Sequence, residues 1–119
     1  MLQRMNEVAR RWFLGLASPD EEYEALEYLT GRQSVLWTRA HAVGDPPPSA
    51  CSTLQKWLDN LNVKRLVVGH TVQRYGITSA CGGSVWRVDT GMARAFARYS
   101  MRDIQTLELR VGEAPQILR

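Results

Sequence analysis

The segment RLVVGHTVQRYGI, residues 65–77, contains the strongest strand signal of this chain. Its apolar run Leu66–Val68 predicts a buried strand of a parallel sheet, and the run stops at Gly69, directly before His70. In open α/β sheets, ligands bind in the crevice beyond the carboxyl ends of the strands. His70 is therefore a candidate for binding a metal or moving a proton. The alternative is a histidine at a strand end that only packs and bonds to a backbone carbonyl.

Composition indicates one globular domain and argues against two classes of partner. The chain has 119 residues, 45% of them hydrophobic, and a net charge of +3 from 15 basic and 12 acidic side chains. The basic residues form no run, so we expect no binding to nucleic acid or to a membrane surface. No apolar stretch approaches the roughly 20 residues of a membrane span. The first 12 residues lack the apolar core of a signal peptide, so a cytoplasmic location is expected.

The two cysteines, Cys51 and Cys81, are too few for a disulfide framework and lack CxxC spacing. We therefore expect both thiols to be unpaired in a reducing compartment, with Cys51 as a small core residue and Cys81 in a structural or incidental role.

Hydrophobic periodicity predicts three helices, near residues 1–15, 19–30 and 50–61. The second helix has the strongest boundary signals, because Ser18, Pro19 and Glu21 form a capping box with proline at the first helical position. Gly31 is placed to end that helix. The first two helices carry wide apolar faces, which predicts that the chain associates with another molecule or forms part of a larger fold.

Strands are predicted in the later part of the chain. The segments 65–69, 84–89 and 104–111 are expected to lie in one sheet, the second of them after a turn at Gly82-Gly83. Residues 34–41 are also apolar and β-leaning. Three consecutive prolines make residues 42–50 a loop.

Three motifs occur in order: LWTRAH (36–41), RLVVGHTVQRYGI (65–77) and CGGSVWRVDTGM (81–92). Together they resemble the C-terminal part of the calcineurin-like metallophosphatases, and most closely the Shewanella-like protein phosphatases. The resemblance implies an α/β fold in which residues 1–119 form the C-terminal half of a four-layer α/β/β/α sandwich. In such a fold, two metal ions roughly 3.5–4 Å apart clamp the phosphate and activate a water molecule.

The resemblance also implies roles for individual residues. His70 corresponds to a metal ligand, and Arg39 to the side chain that contacts the substrate phosphate. Asp89–Gly91 corresponds to a supporting turn near the metals. The implied cofactors are two divalent ions (Mn, Fe or Zn), and the implied reaction is attack of metal-bound hydroxide on a phosphoprotein or a small phosphomonoester. Arg39 and His70 are then expected to face one crevice.

Several motifs of the family are missing from this sequence: the upstream Asp-x-His, the GDxxDRG and GNHE segments, and a further histidine. The only histidines are His41 and His70, and His41 is interpreted as a surface or loop residue with a secondary role left open. We therefore expect the isolated chain to be inactive, and a missing N-terminal half or self-association to complete the site. The alternative is a non-catalytic binding or assembly module.

Overall fold

The computed structural model describes residues 2–31, 34, 36–96, 98 and 104–119. They form two compact units, Met1–Arg39 and Ala40–Arg119. The described part contains three α-helices, a three-stranded mixed sheet and a two-stranded hairpin. The α/β class is therefore confirmed, whereas the four-layer sandwich stays a prediction.

The first unit is a helical hairpin of α1 (Leu2–Phe13) and α2 (Pro19–Thr30). Val8 of α1 and Ala25 of α2 are fully buried. The predicted capping box at the start of α2 is confirmed. Ser18 Oγ accepts from the Glu21 N–H at 3.4 Å, and Glu21 Oε2 accepts from the Ser18 N–H at 2.9 Å.

Ion pairs join the polar sides of α1 and α2. Arg4 Nη2 lies 2.7 Å from Glu24 Oε2, and Arg11 Nε lies 3.0 Å from Glu21 Oε2. The hydrogen bond from Arg4 holds the pKa of Glu24 below its usual range. The pKa of Glu21 is lowered first by the backbone N–H of Ser18 and then by Arg11. Both carboxylates therefore favour the charged form in the folded hairpin.

The β-leaning segment 34–41 forms no strand in its described residues, which lie in turns and irregular structure instead. Ser34 is buried, and its hydroxyl donates to the carbonyl of Tyr28. Trp37 Nε1 donates to the carbonyl of Leu29 at 2.8 Å. These side chains satisfy carbonyls in the last turn of α2, and that local bonding competes with a strand.

The second unit is built around helix α3 (Pro48–Asn60) and a sheet of three short strands. These strands are β1 (Leu66–Val68), β2 (Thr78–Ala80) and β3 (Val85–Arg87). The sheet order is β1-β3-β2, with β3 parallel to β1 and antiparallel to β2. Leu54 and Leu58 of α3 form the core with Val85, and Leu66 and Val68 pack against them.

The last predicted strand exists but has a different partner. It is β4 (Thr106–Glu108), which pairs with β5 (Gln116–Leu118) in an antiparallel hairpin outside the main sheet. The expectation that 104–111 joins the sheet of β1 and β3 was wrong, because apolar alternation predicts a strand but does not choose its neighbour. The sequence Thr-Ser-Ala of β2 carries no alternation and was missed.

The two cysteines form a disulfide, contrary to the prediction that they are unpaired. Cys51 of α3 bonds to Cys81, at the turn before β3, with an S–S length of 2.04 Å. The residues are 30 positions apart, but their Cα atoms lie 5.2 Å apart because α3 packs over β3. A count of cysteines could not show this proximity.

In the described part of the chain, none of the helices combines the length and the apolar character that crossing a bilayer requires.

Candidate functional site

The candidate site lies where β1 and β3 end. In the parallel register of these strands Val68 is the partner of Arg87, and the Val88 N–H donates to the Val68 carbonyl at 3.0 Å. Pairing thus continues one residue beyond the strands. Because parallel strands end at the same edge of a sheet, His70 and Asp89 both leave the sheet at this edge.

His70 is exposed and has a backbone φ of +59°. Few residues other than glycine adopt this left-handed conformation, and it is destabilising for a side chain with a Cβ. Among the described residues other than glycine, Asn62 and Cys81 share this conformation, with φ of +52° and +51°. Strained backbone of this kind concentrates at functional sites, and His70 is the strained residue at the carboxyl end of β1.

Hydrogen bonds connect the loop after β1 to the loop after β3. The Gln73 N–H donates to the Asp89 carbonyl at 2.7 Å, and Asp89 Oδ1 accepts from the Gly91 N–H at 2.9 Å. The side chain of Gln73 also donates to the Thr71 carbonyl at 2.8 Å. The two loops therefore form one bonded structure around the edge of the sheet.

A third segment, residues 41–44, is held to the same edge by two side chains. Arg87 donates from Nε to the His41 carbonyl at 2.7 Å and from Nη2 to the Gly44 carbonyl at 2.6 Å. Gln73 Nε2 donates to the Ala42 carbonyl at 3.1 Å. Sequence reasoning missed Arg87, although a cation inside the otherwise apolar run Val85–Val88 was a signal that it is buried.

Two buried polar atoms near these contacts have no hydrogen-bond partner among the described residues: His41 Nδ1 and Thr90 Oγ1. Thr90 is only 3% exposed, and His41 is half-buried. His41 is thus a loop residue as expected, but its ring is more enclosed than that of a surface histidine. Buried polar atoms without a partner are rare in folded proteins.

The other predicted site residue, Arg39, is exposed and is the last residue of the first unit. That it shares a crevice with His70 stays a prediction.

Within the described ranges, no group of three or more His, Cys, Asp or Glu side chains could hold a metal ion. The side chains of this part of the chain therefore do not fit a pair of cations by themselves.

A surface depression of about 270 Å³ is lined by Lys64, Arg65 and Arg110 among others, beside the start of β1 and away from the edge occupied by His70.

Comparison with known proteins identifies the chain as a relative of protein phosphatases. It is 34% identical over 97 residues to Shewanella-like protein phosphatase 2 of Arabidopsis thaliana, a match that covers 81% of this chain and 24% of that protein. It is 36% identical over 75 residues to Shewanella-like protein phosphatase 1 of Plasmodium berghei, covering 60% of this chain and 21% of that protein. An uncharacterised protein of Schizosaccharomyces pombe is 33% identical over 95 residues, covering 80% of this chain and 28% of its own length.

The chain is thus a distant homologue of the Shewanella-like protein phosphatases, as its motifs predicted. It spans about a quarter of the length of these relatives. No family model matches the sequence, and no solved structure gives a significant match.

Proposed function

We propose that this chain is part of a metal-dependent phosphoester hydrolase that acts on a phosphoprotein or a small phosphomonoester. Two relatives named as protein phosphatases support the reaction class. The observation that carries the proposal is the position of His70, in a left-handed conformation directly beyond β1 at the edge it shares with Asp89. That edge is where α/β sheets bind their ligands.

In this proposal His70 supplies one imidazole ligand to a site for Mn, Fe or Zn, and Arg39 contacts the phosphate. The sequence has only two histidines, so the remaining ligands come from a further segment of the protein or from a second copy of the chain. Each divalent ion needs several protein ligands in addition to water, and a single imidazole cannot hold two ions.

A non-catalytic binding or assembly module is the second candidate. It is favoured by the shortage of metal ligands among the residues that the structure describes. It is also favoured by the exposure of the sheet, because Val67 of the parallel pair is 44% exposed. Parallel strands are normally covered on both faces, so a covering partner is expected under either proposal.

Extension of the chain by the region encoded upstream tests the first proposal. If that region carries the missing family motifs, the longer protein should hydrolyse p-nitrophenyl phosphate in the presence of manganese. His70→Ala should then lower kcat/KM about 100-fold, as expected for loss of a group on which metal binding depends. Lys56→Ala, on the exposed side of α3, serves as the control. Turnover that is unaffected by His70→Ala would contradict the role of His70, and an inactive extended protein would favour the binding module.

A further inference from the structure

Arg87 carries a buried charge that no carboxylate of the described residues neutralises. The residue is 6% exposed, and its two hydrogen bonds both go to backbone carbonyls. Among the ion pairs of the described residues, none includes Arg87. A guanidinium has five N–H donors, and the bonds to His41 and Gly44 use two of them. Buried charges are normally paired, so this guanidinium has both a charge and further N–H donors to offer an anion.

The guanidinium of Arg87 is also fixed in place. Its strand, β3, is the central strand of the sheet, and the bonds from Nε and Nη2 hold two sides of the planar group. A rigid guanidinium matches the oxygen spacing of a phosphate and can bind it through two parallel hydrogen bonds. Arg87 is the last residue of β3, at the edge of the sheet where His70 leaves β1.

The two buried atoms without partners belong to residues close to Arg87 in the structure or in the sequence. The first atom is Nδ1 of His41, whose backbone carbonyl accepts the hydrogen bond from Arg87 Nε. The second is Oγ1 of Thr90, which lies three residues after Arg87 in the sequence. The nearest carboxylate along the strand is that of Asp89, which accepts a hydrogen bond from the Gly91 N–H and forms no ion pair with Arg87. Both atoms are therefore available for a further hydrogen bond in the neighbourhood of Arg87.

We infer that Arg87 binds an oxyanion, and that this anion is the phosphoryl group of the substrate. The choice of phosphate rests on the proposed function. The binding itself requires neither metal nor turnover, because the guanidinium and its supporting carbonyls all lie within the second unit.

The test is a titration of the 119-residue protein with inorganic phosphate at constant ionic strength, followed by ¹H–¹⁵N NMR. The Nε–H signal of Arg87 and the amides of residues 41–44 should shift and reach saturation. Arg87→Lys should weaken binding about tenfold or more, since the ammonium cannot replace a two-point contact. Arg87→Gln should abolish binding, whereas Lys56→Gln, which removes one charge on α3, should leave the affinity unchanged.

Absence of saturable shifts in the wild-type protein would overturn the inference, and this result does not depend on whether Arg87→Gln folds. Shifts centred on Lys64, Arg65 and Arg110 would also overturn it, because they would place the anion in the depression beside the start of β1. The failures of the two proposals are distinguishable. Phosphate binding at Arg87 without turnover in the extended protein would refute only the hydrolase, and turnover without phosphate at Arg87 would refute only this inference.

Discussion

At the scale of single residues, the backbone conformation of His70 has a cost that can be measured. Its φ of +59° costs a residue with a Cβ about 1 kcal/mol, whereas glycine adopts this conformation freely. Comparison of His70→Gly with His70→Ala isolates this cost, because both variants lose the imidazole. We expect the glycine variant to be more stable than the alanine variant by about 1 kcal/mol in urea unfolding. Equal stabilities would show that His70 leaves the left-handed region in solution.

Gly76 provides a second test at residue scale. Its φ is +94°, and a Cβ at this position would lie 2.5 Å from the side-chain oxygen of Gln105, which accepts from the Ile77 N–H. Gly76→Ala should therefore destabilise the protein by about 2–3 kcal/mol, the sum of backbone strain and a disturbed buried hydrogen bond. Gly112→Ala is the matched control, because Gly112 has a φ of +82° with open space around it. It should cost only about 1 kcal/mol, and equal losses for the two variants would mean that Gln105 adapts.

The sequence predicted the position of His70 directly after β1, because an apolar run followed by Gly-His is a local signal. It did not identify Arg87, whose partners at His41 and Gly44 lie more than 40 positions away in the chain. A burial pattern can show that a cation is enclosed, but only the tertiary structure shows which carbonyls it reaches.

At the scale of elements, the α1–α2 hairpin should be sensitive to acid. The pKa values of Glu21 and Glu24 are lowered in the folded state by their hydrogen bonds, including those from Arg11 and Arg4. These two carboxylates make their full contribution to stability at a pH above about 4.3, the pKa of glutamate in the unfolded chain. The contribution is lost as the pH falls through the lower pKa values that the two side chains have in the folded state. Helical circular dichroism should therefore decrease below about pH 4. Glu24→Gln should reduce this pH dependence, whereas Glu27→Gln, on the same helix but without an ion pair among the described residues, should preserve it.

The disulfide between α3 and the turn before β3 should be a main source of stability for the second unit. It closes a loop across 30 positions of sequence, which contains β1 and the loop of His70. The chain-entropy relation for a loop of this length gives about 3.5 kcal/mol. Addition of a reductant should lower the free energy of unfolding by about this amount, and the double variant Cys51→Ser/Cys81→Ser should no longer respond to reductant. An unchanged unfolding curve for reduced wild-type protein would contradict the structural role of the disulfide.

Local sequence signals were sufficient for the helices and for the paired strands β1 and β3, but not for β2 or for the partner of β4. The capping box at Ser18 and the apolar periodicity predicted α2 closely, since both depend on residues within one turn of each other. The strand β4 was predicted, but its partner β5 was not, because strand pairing depends on tertiary packing. The disulfide was missed for the same reason.

At the scale of the whole molecule, we propose that residues 1–119 carry one part of a phosphatase site and not all of it. The homology covers about a quarter of the relatives, and the sequence offers two histidines. A binuclear site lowers the pKa of its bound water and neutralises charge on the phosphate only when both cations are held.

The most direct measurement is hydrolysis of p-nitrophenyl phosphate by the purified 119-residue protein with added manganese. We predict no turnover above the rate in buffer with manganese alone, because His70 by itself loses the metal to water and buffer. Metal-dependent turnover that persists through a second purification and is abolished by His70→Ala would contradict the claim. It would show that this chain, alone or as paired copies, already contains a complete site.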